Sequence, residues 1–174
     1  MHHPLTPAAG SPPTRARRSL PLPQGDPAVA VTGDLRVVDS NRRWRSLHSP
    51  FTDLGDIARM VFTDPAAATF FIDRRHEELD AIAILRAALG EEHGRDAARD
   101  TVRRLREESP RFERLWNATR VRPRLLDTYA VRHPDLGELT FDRRTAYRNG
   151  VLVRVATPRL AAARLLPLLD HLPD

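Results

Sequence analysis

From Ala28 onward the hydrophobic positions change period twice. AVAV (28–31), the pair Gly33-Asp34 and LRVVD (35–39) read as a hairpin with a tight turn. Asn41 and RRWRSLH then predict a short helix with Trp44 and Leu47 inward. A helical period follows. Leu54, Ile57, Ala58, Val61 and Phe62 repeat at i, i+3, i+4, i+7 and i+8 behind a Thr52 or Asp53 cap. Asp64-Pro65 opens AAATFF. Asp73 caps the longest helix, about 73–89, with Leu79, Ile82, Leu85 and Leu89 on one stripe and Gly90 as its stop. The next helix, about 95–107, turns Ala98, Val102 and Leu105 inward and sets Asp100 and Arg104 as an i, i+4 pair. SPRFERLW (109–116) places Phe112, Leu115 and Trp116 on one helical face.

Beyond Trp116 the period falls to two. LLDTYAVRH (125–133), a turn at HPDLG (133–137) and GELTFD (137–142) follow in order, with Leu139 and Phe141 on one face. TAYR (145–148), Asn149-Gly150 and VLVRVA (151–156) make the clearest hairpin, because Asn-Gly suits a type I′ turn. Pro158 opens a last helix carrying Leu160, Ala163, Leu166 and Leu169. Two strands, a block of helices, about three strands and a helix predict an α+β domain. A lone hairpin is not stable, so the first should pair with the last. The result is a PAS-like single antiparallel sheet of about five strands, two N-terminal and three C-terminal. The inserted helices cover one face. Residues 1–26, rich in proline and without an apolar period, read as a disordered leader; residues 27–174 form the domain.

Composition narrows the function. The chain has 174 residues and no cysteine, which excludes disulfides, thiolate zinc sites and cysteine nucleophiles. The leader lacks a continuous apolar stretch for secretion, and no run approaches a membrane span, so a cytoplasmic location is expected. The net charge of +5 is carried by 28 basic residues, all arginine. It is uneven: residues 51–119 hold 11 arginines against 14 acids, net −3. An acidic helical middle repels phosphate, and Glu107, Glu108 and Glu113 flank the Phe112–Trp116 face. That face therefore fills a core or walls a pocket rather than stacking on a base. The segment TRARRS (14–19) reads as a solvated tail.

Five segments in register resemble one family, the MmyB-like ligand-binding domain found at the C-terminal end of bacterial helix-turn-helix regulators. They are LRVVDSN (35–41), DLGDIARMVFTDPAAATFFID (53–73), AILRAALG (83–90), SPRFERLW with Val121, and RHPDLGELTFD (132–142). The resemblance implies a PAS-like pocket for an apolar or fatty-acid-like molecule that adjusts a DNA-binding domain. The family carries an XRE-type helix-turn-helix ahead of this module. A 26-residue leader is too short for one, so direct nucleic-acid binding by this chain is not expected, and the reading half either was lost or lies upstream. Expected partners are the small molecule and a second copy or a helix-turn-helix homologue, with no membrane. Expected lining residues are Ile57, Val61, Phe62, Ile82, Leu85, Phe112, Trp116, Phe141 and Val153, with Arg122 or Arg124 meeting a carboxylate at the mouth.

No cofactor and no enzymatic role are expected. RRHEELD (74–80) lacks the spacing that places two histidines on one helix face, and reads as a solvated helix start. No nucleophile elbow, Walker loop or dinucleotide glycine pattern is present. His133, before a turn proline, suits a hydrogen bond to that turn. A different reading keeps the fold without a ligand: an interaction protein that dimerises with, or titrates, an intact homologue.

Overall fold

In the computed structural model, residues 21–118, 120–148 and 150–172 are described. One five-stranded antiparallel sheet has the order β2-β1-β5-β4-β3. The strands are β1 (Ala28–Val31), β2 (Val37–Ser40), β3 (Leu126–His133), β4 (Gly137–Arg148) and β5 (Val151–Pro158). The predicted closure is present, since β1 lies antiparallel to β5 with Ala30 opposite Val153. GELTFD and TAYR are not separate: both belong to the twelve-residue β4, which pairs with β3 from Gly137 to Arg144 and with β5 from Phe141 to Arg148. Gly150 takes φ 81 in the last hairpin, as its turn requires. Asn149, TRARRS and the first 20 residues of the leader lie outside the described residues. Residues 21–26 lie against the domain, with Leu22 buried and the carbonyls of Pro23 and Asp26 accepting from Asn41.

The first hairpin departs from expectation in its turn. The left-handed residue is Leu35, φ 67, rather than Gly33 or Asp34. Leu35 sustains this conformation because its side chain is fully buried and its backbone bonds Thr32 and Ile57. Gly33 serves close approach instead. A Cβ placed there would stand 2.8 Å from the Cβ of Ala88.

The helices between the hairpins are α1 (Arg42–Leu47), α2 (Ile57–Phe62), α3 (Ala67–Phe70), α4 (Arg74–Gly90), α5 (Arg95–Glu108) and α6 (Pro110–Ala118). Asn41 caps α1 through Trp44 N–H and also accepts from Ala28 N–H, which ties the helix to the sheet. The cap of α2 is Asp56, not Thr52 or Asp53. Asp56 is fully buried and takes Arg104 at 2.8 Å. Arg104 is thereby drawn from the expected Asp100 pair, and Asp100 holds Arg103 at 2.7 Å. Asp73 caps α4 as expected. This helix is buried almost all round: Ala81 to Leu85 are enclosed, while Leu79 and Leu89 are only half-buried. Ser109 accepts from Phe112 N–H and starts α6. Phe112 and Leu115 enter the core, and Trp116 stacks on Phe112.

The C-terminal helix divides into α7 (Leu160–Leu165) and a 3₁₀ helix, Leu166–His171. Its inward residues are Ala162, Leu166 and Leu169, whereas Leu160 and Ala163 face outward. The tighter 3₁₀ turn aligns Leu166 with Leu169 on one side. No helix among the described residues is long and apolar enough to cross a membrane.

The close approach of Gly33 to α4 is testable. Gly33→Ala forces backbone or helix to shift and should cost about 1–3 kcal/mol in urea unfolding. Adding Ala88→Gly should recover part of that loss, although glycine inside a helix itself costs about 1 kcal/mol.

Candidate functional site

Strand alternation decides what the helices meet. On β3, Tyr129, Val131 and His133 are buried; on β4, Leu139, Phe141, Arg143 and Thr145; on β5, Leu152, Arg154 and Ala156. Val29 and Val31 of β1 join them. One end of this inner face is apolar. The other carries arginines in register with Asp127 and Thr145, because Asp127 lies opposite Arg143 and Thr145 opposite Arg154.

Above the junction lies a cavity of about 40 Å³. Its apolar walls include Val29, Leu47, Ile57, Met60, Val61 and Phe71. Trp44, His48 and Tyr129 form an aromatic side. Glu77, Arg143 and Arg154 form a charged one.

The charged side is buried and paired. Arg143 donates to both Glu77 oxygens, at 2.7 and 3.1 Å, and to both Asp127 oxygens, at 3.0 and 2.5 Å. It lies over the Tyr129 ring, 4.8 Å from the centroid. Arg154 donates to Asp80. Burial alone would lower the affinity of Arg143 for its proton, but Glu77, Asp127 and Asp80 outweigh it and raise its pKa well above the ordinary value. Burial pushes Asp127 up, yet Arg143 and then His76 hold it below the ordinary carboxylate value. His76 accepts from Arg124 at Nδ1, which leaves Nε2–H to donate to Asp127 at 2.7 Å.

The aromatic side has one consistent tautomer. The Trp44 carbonyl can only accept, so His48 donates from Nδ1 at 2.8 Å. Its Nε2 then accepts from the Tyr129 hydroxyl at 2.6 Å. Full burial drives the His48 pKa down to about 4, against the Trp44 carbonyl, with Arg143 and His133 adding to the fall. The Tyr129 hydroxyl is pushed well above its usual pKa, first by burial and then by Glu77. The two rings thus stay uncharged at neutral pH.

Of the expected lining residues, Ile57 and Val61 lie on the cavity. Phe62 packs edge-on against Phe112, 4.9 Å away, and Ile82, Leu85 and Phe112 are core residues behind the wall. Trp116 stacks over Phe112 on one side and receives the Arg86 guanidinium on another. Phe141 sits beside Tyr129, 6.1 Å between centroids. Val153 is a correction. It faces the opposite side of the sheet, with Ala28, Ala30, Val151 and Val155, because Arg154 and not valine takes the inward parity. Arg122 and Arg124 do not line the cavity; they line open grooves that also include His76.

RRHEELD is a second correction: Glu77, Glu78 and Asp80 are buried, each facing arginines from other elements. His76, Glu77 and Asp127 bring one potential ligand atom each within 4.8 Å. Both carboxylates already hold Arg143, so a cation there would have to displace it. His133 accepts from Asp135 N–H, the turn bond expected of it. The inward arginines were readable by parity, since Arg143 continues the Leu139, Phe141 series two residues on. What hid Glu77 is that its partner lies 66 residues away.

The family described as MmyB-like transcription regulator ligand binding domain matches residues 13–169. The chain belongs to this family. A search of curated proteins found no match. An MmyB-like domain is a ligand-sensing regulatory part of a transcription regulator, and the cavity lies where its sheet meets its helices. Nothing in the family's role calls for catalysis.

Two outcomes follow for the MmyB-like domain. Arg143→Met leaves Glu77 and Asp127 buried without their cation and should cost about 3–5 kcal/mol in chemical unfolding. His48 binds a proton less readily folded, near 4, than unfolded, near 6.5. The unfolded state therefore takes up more protons between these values, and its contribution to stability is lost as pH falls through that window. The loss should reach about 3 kcal/mol. Urea unfolding from neutral pH down to the window's lower end should show it, and His48→Gln should flatten that slope.

Proposed function

We propose that the domain senses an apolar, fatty-acyl-like small molecule held between the sheet and helices α1, α2 and α4. The observation that carries this reading is a buried cavity with a continuous apolar wall and one polar end. Pockets for small molecules combine mainly apolar lining with a few placed polar groups. Each methylene buried contributes roughly 0.8 kcal/mol, so about eight offset the association cost and leave useful affinity.

The cavity is far smaller than such a chain. Uptake therefore moves α1 and α2, which bear Trp44, Leu47, Ile57, Met60 and Val61, away from the sheet. That movement is the signal: a ligand shifts a protein between states only through a difference in how it binds them. The displaced helices alter the surface offered to a second copy or to a helix-turn-helix homologue. In the cytoplasm, such a contact would carry the ligand's presence to DNA without this chain touching it.

Native mass spectrometry of the purified chain, with medium-chain acids and uncharged analogues added, tests the reading. An added mass that vanishes on denaturation is expected, and Val61→Phe should abolish it while the fold persists by circular dichroism. Absence of uptake for every chain offered, charged or uncharged, would sink the sensor reading in favour of a ligand-free interaction protein.

A further inference from the structure

The polar end of the cavity has one donor without an acceptor. Arg154 is 9 % exposed, and its Nε–H has no hydrogen-bond partner among the described residues. Of its two terminal nitrogens, Nη2 donates to Asp80. A buried donor left unpaired is costly, and a ligand acceptor that meets it gains what the folded protein forgoes.

The charge around that donor decides which acceptor fits. Three buried carboxylates, Glu77, Asp80 and Asp127, surround two guanidiniums, Arg143 and Arg154. His48 and Tyr129 bring no charge from the aromatic side. His76 presents Nε2–H to Asp127 with its other nitrogen occupied by Arg124, which is itself exposed and outside the cavity. The buried set therefore carries one excess negative charge. A ligand carboxylate would add a second within it, at low dielectric, where like charges repel strongly. A carbonyl oxygen accepts the Nε–H bond without adding charge.

We infer that the polar end of the ligand is an uncharged acceptor, the carbonyl of a ketone, ester or amide, received by Arg154 Nε–H, and that a free carboxylate is rejected there. This rests on the sensor reading above and narrows its ligand class from fatty acid to neutral acyl derivative. Arg154 serves as the specificity-determining residue. Asp80 holds it in place and supplies the carboxylate that leaves the buried set one negative charge in excess.

Decanoic acid and 2-undecanone test the inference, because they share an alkyl chain and differ by a hydroxyl against a methyl at the carbonyl. At about pH 8 the acid is ionised. Calorimetric titration of the full chain should favour the ketone by about tenfold or more. Decanoic acid should bind only through its neutral fraction, so its apparent affinity should fall about tenfold per pH unit above its own pKa. This pH series needs no variant. Arg154→Lys keeps a cation for Asp80 but lacks the Nε–H group; it should bring the two ligands within about threefold of each other. Decanoate binding as tightly as the ketone, with no pH dependence, would overturn the inference while leaving the sensor reading intact. Tighter binding of decylammonium than of the ketone would overturn it equally, by showing that excess charge and not the unpaired donor selects the ligand. If none of the three bound, the sensor reading itself would fail.

Discussion

Arg143 is the residue through which the two layers of this domain meet. It leaves the sheet from β4, takes Asp127 from the neighbouring strand and Glu77 from α4, and lies over the Tyr129 ring. Burying one guanidinium is expensive unless its donors are all met and its charge is matched. Here two carboxylates from different layers do so at once. That requirement sets the height and rotation of α4 above the sheet. Arg154 and Asp80 repeat the tie less than two turns further along the same helix. An apolar interface could slide by a residue; paired charges cannot.

The cavity is a by-product of the same constraint. Side chains that reach across to each other hold sheet and helix apart at that end. Bulky aromatic groups close the other: Phe70 packs edge-on against both Phe51 and Phe71, near Tyr129 and His48. Between them the short helices α1 and α2 form a roof with few residues in it. Short helices gain little from their own hydrogen bonds and depend on packing. A roof made of them is the part of such a domain most able to move when something enters.

Much of the architecture was legible from pattern. The change from a helical period to alternation after Trp116 separates the helical block from the last three strands. Asn41 and Asp73 are caps that local sequence identifies, and both act as such. Glycines were less readable. Gly33 is needed because α4 crosses above it, a reason that lies 55 positions further along the chain. The left-handed turn residue fell on Leu35, where burial of the side chain overrides local preference. The face of β5 was misread for a related reason. Three valines look like the inner set, yet the arginine between them faces in because Asp80 waits for it.

The sequence by itself determined the element types, their order and the single sheet, since periodicity and caps are local properties. It also excluded thiol chemistry outright, and its scattered motifs pointed to the family. Only the tertiary structure decided which charges are buried. Whether Glu77 faces water or Arg143 depends on two elements 66 residues apart meeting at one height. The energy of that meeting is electrostatic, and it becomes large only when folding brings the charges together and excludes solvent from between them. A residue's spacing along the chain carries no trace of it, which is why the walls of the cavity were partly foreseen and its polar end was not.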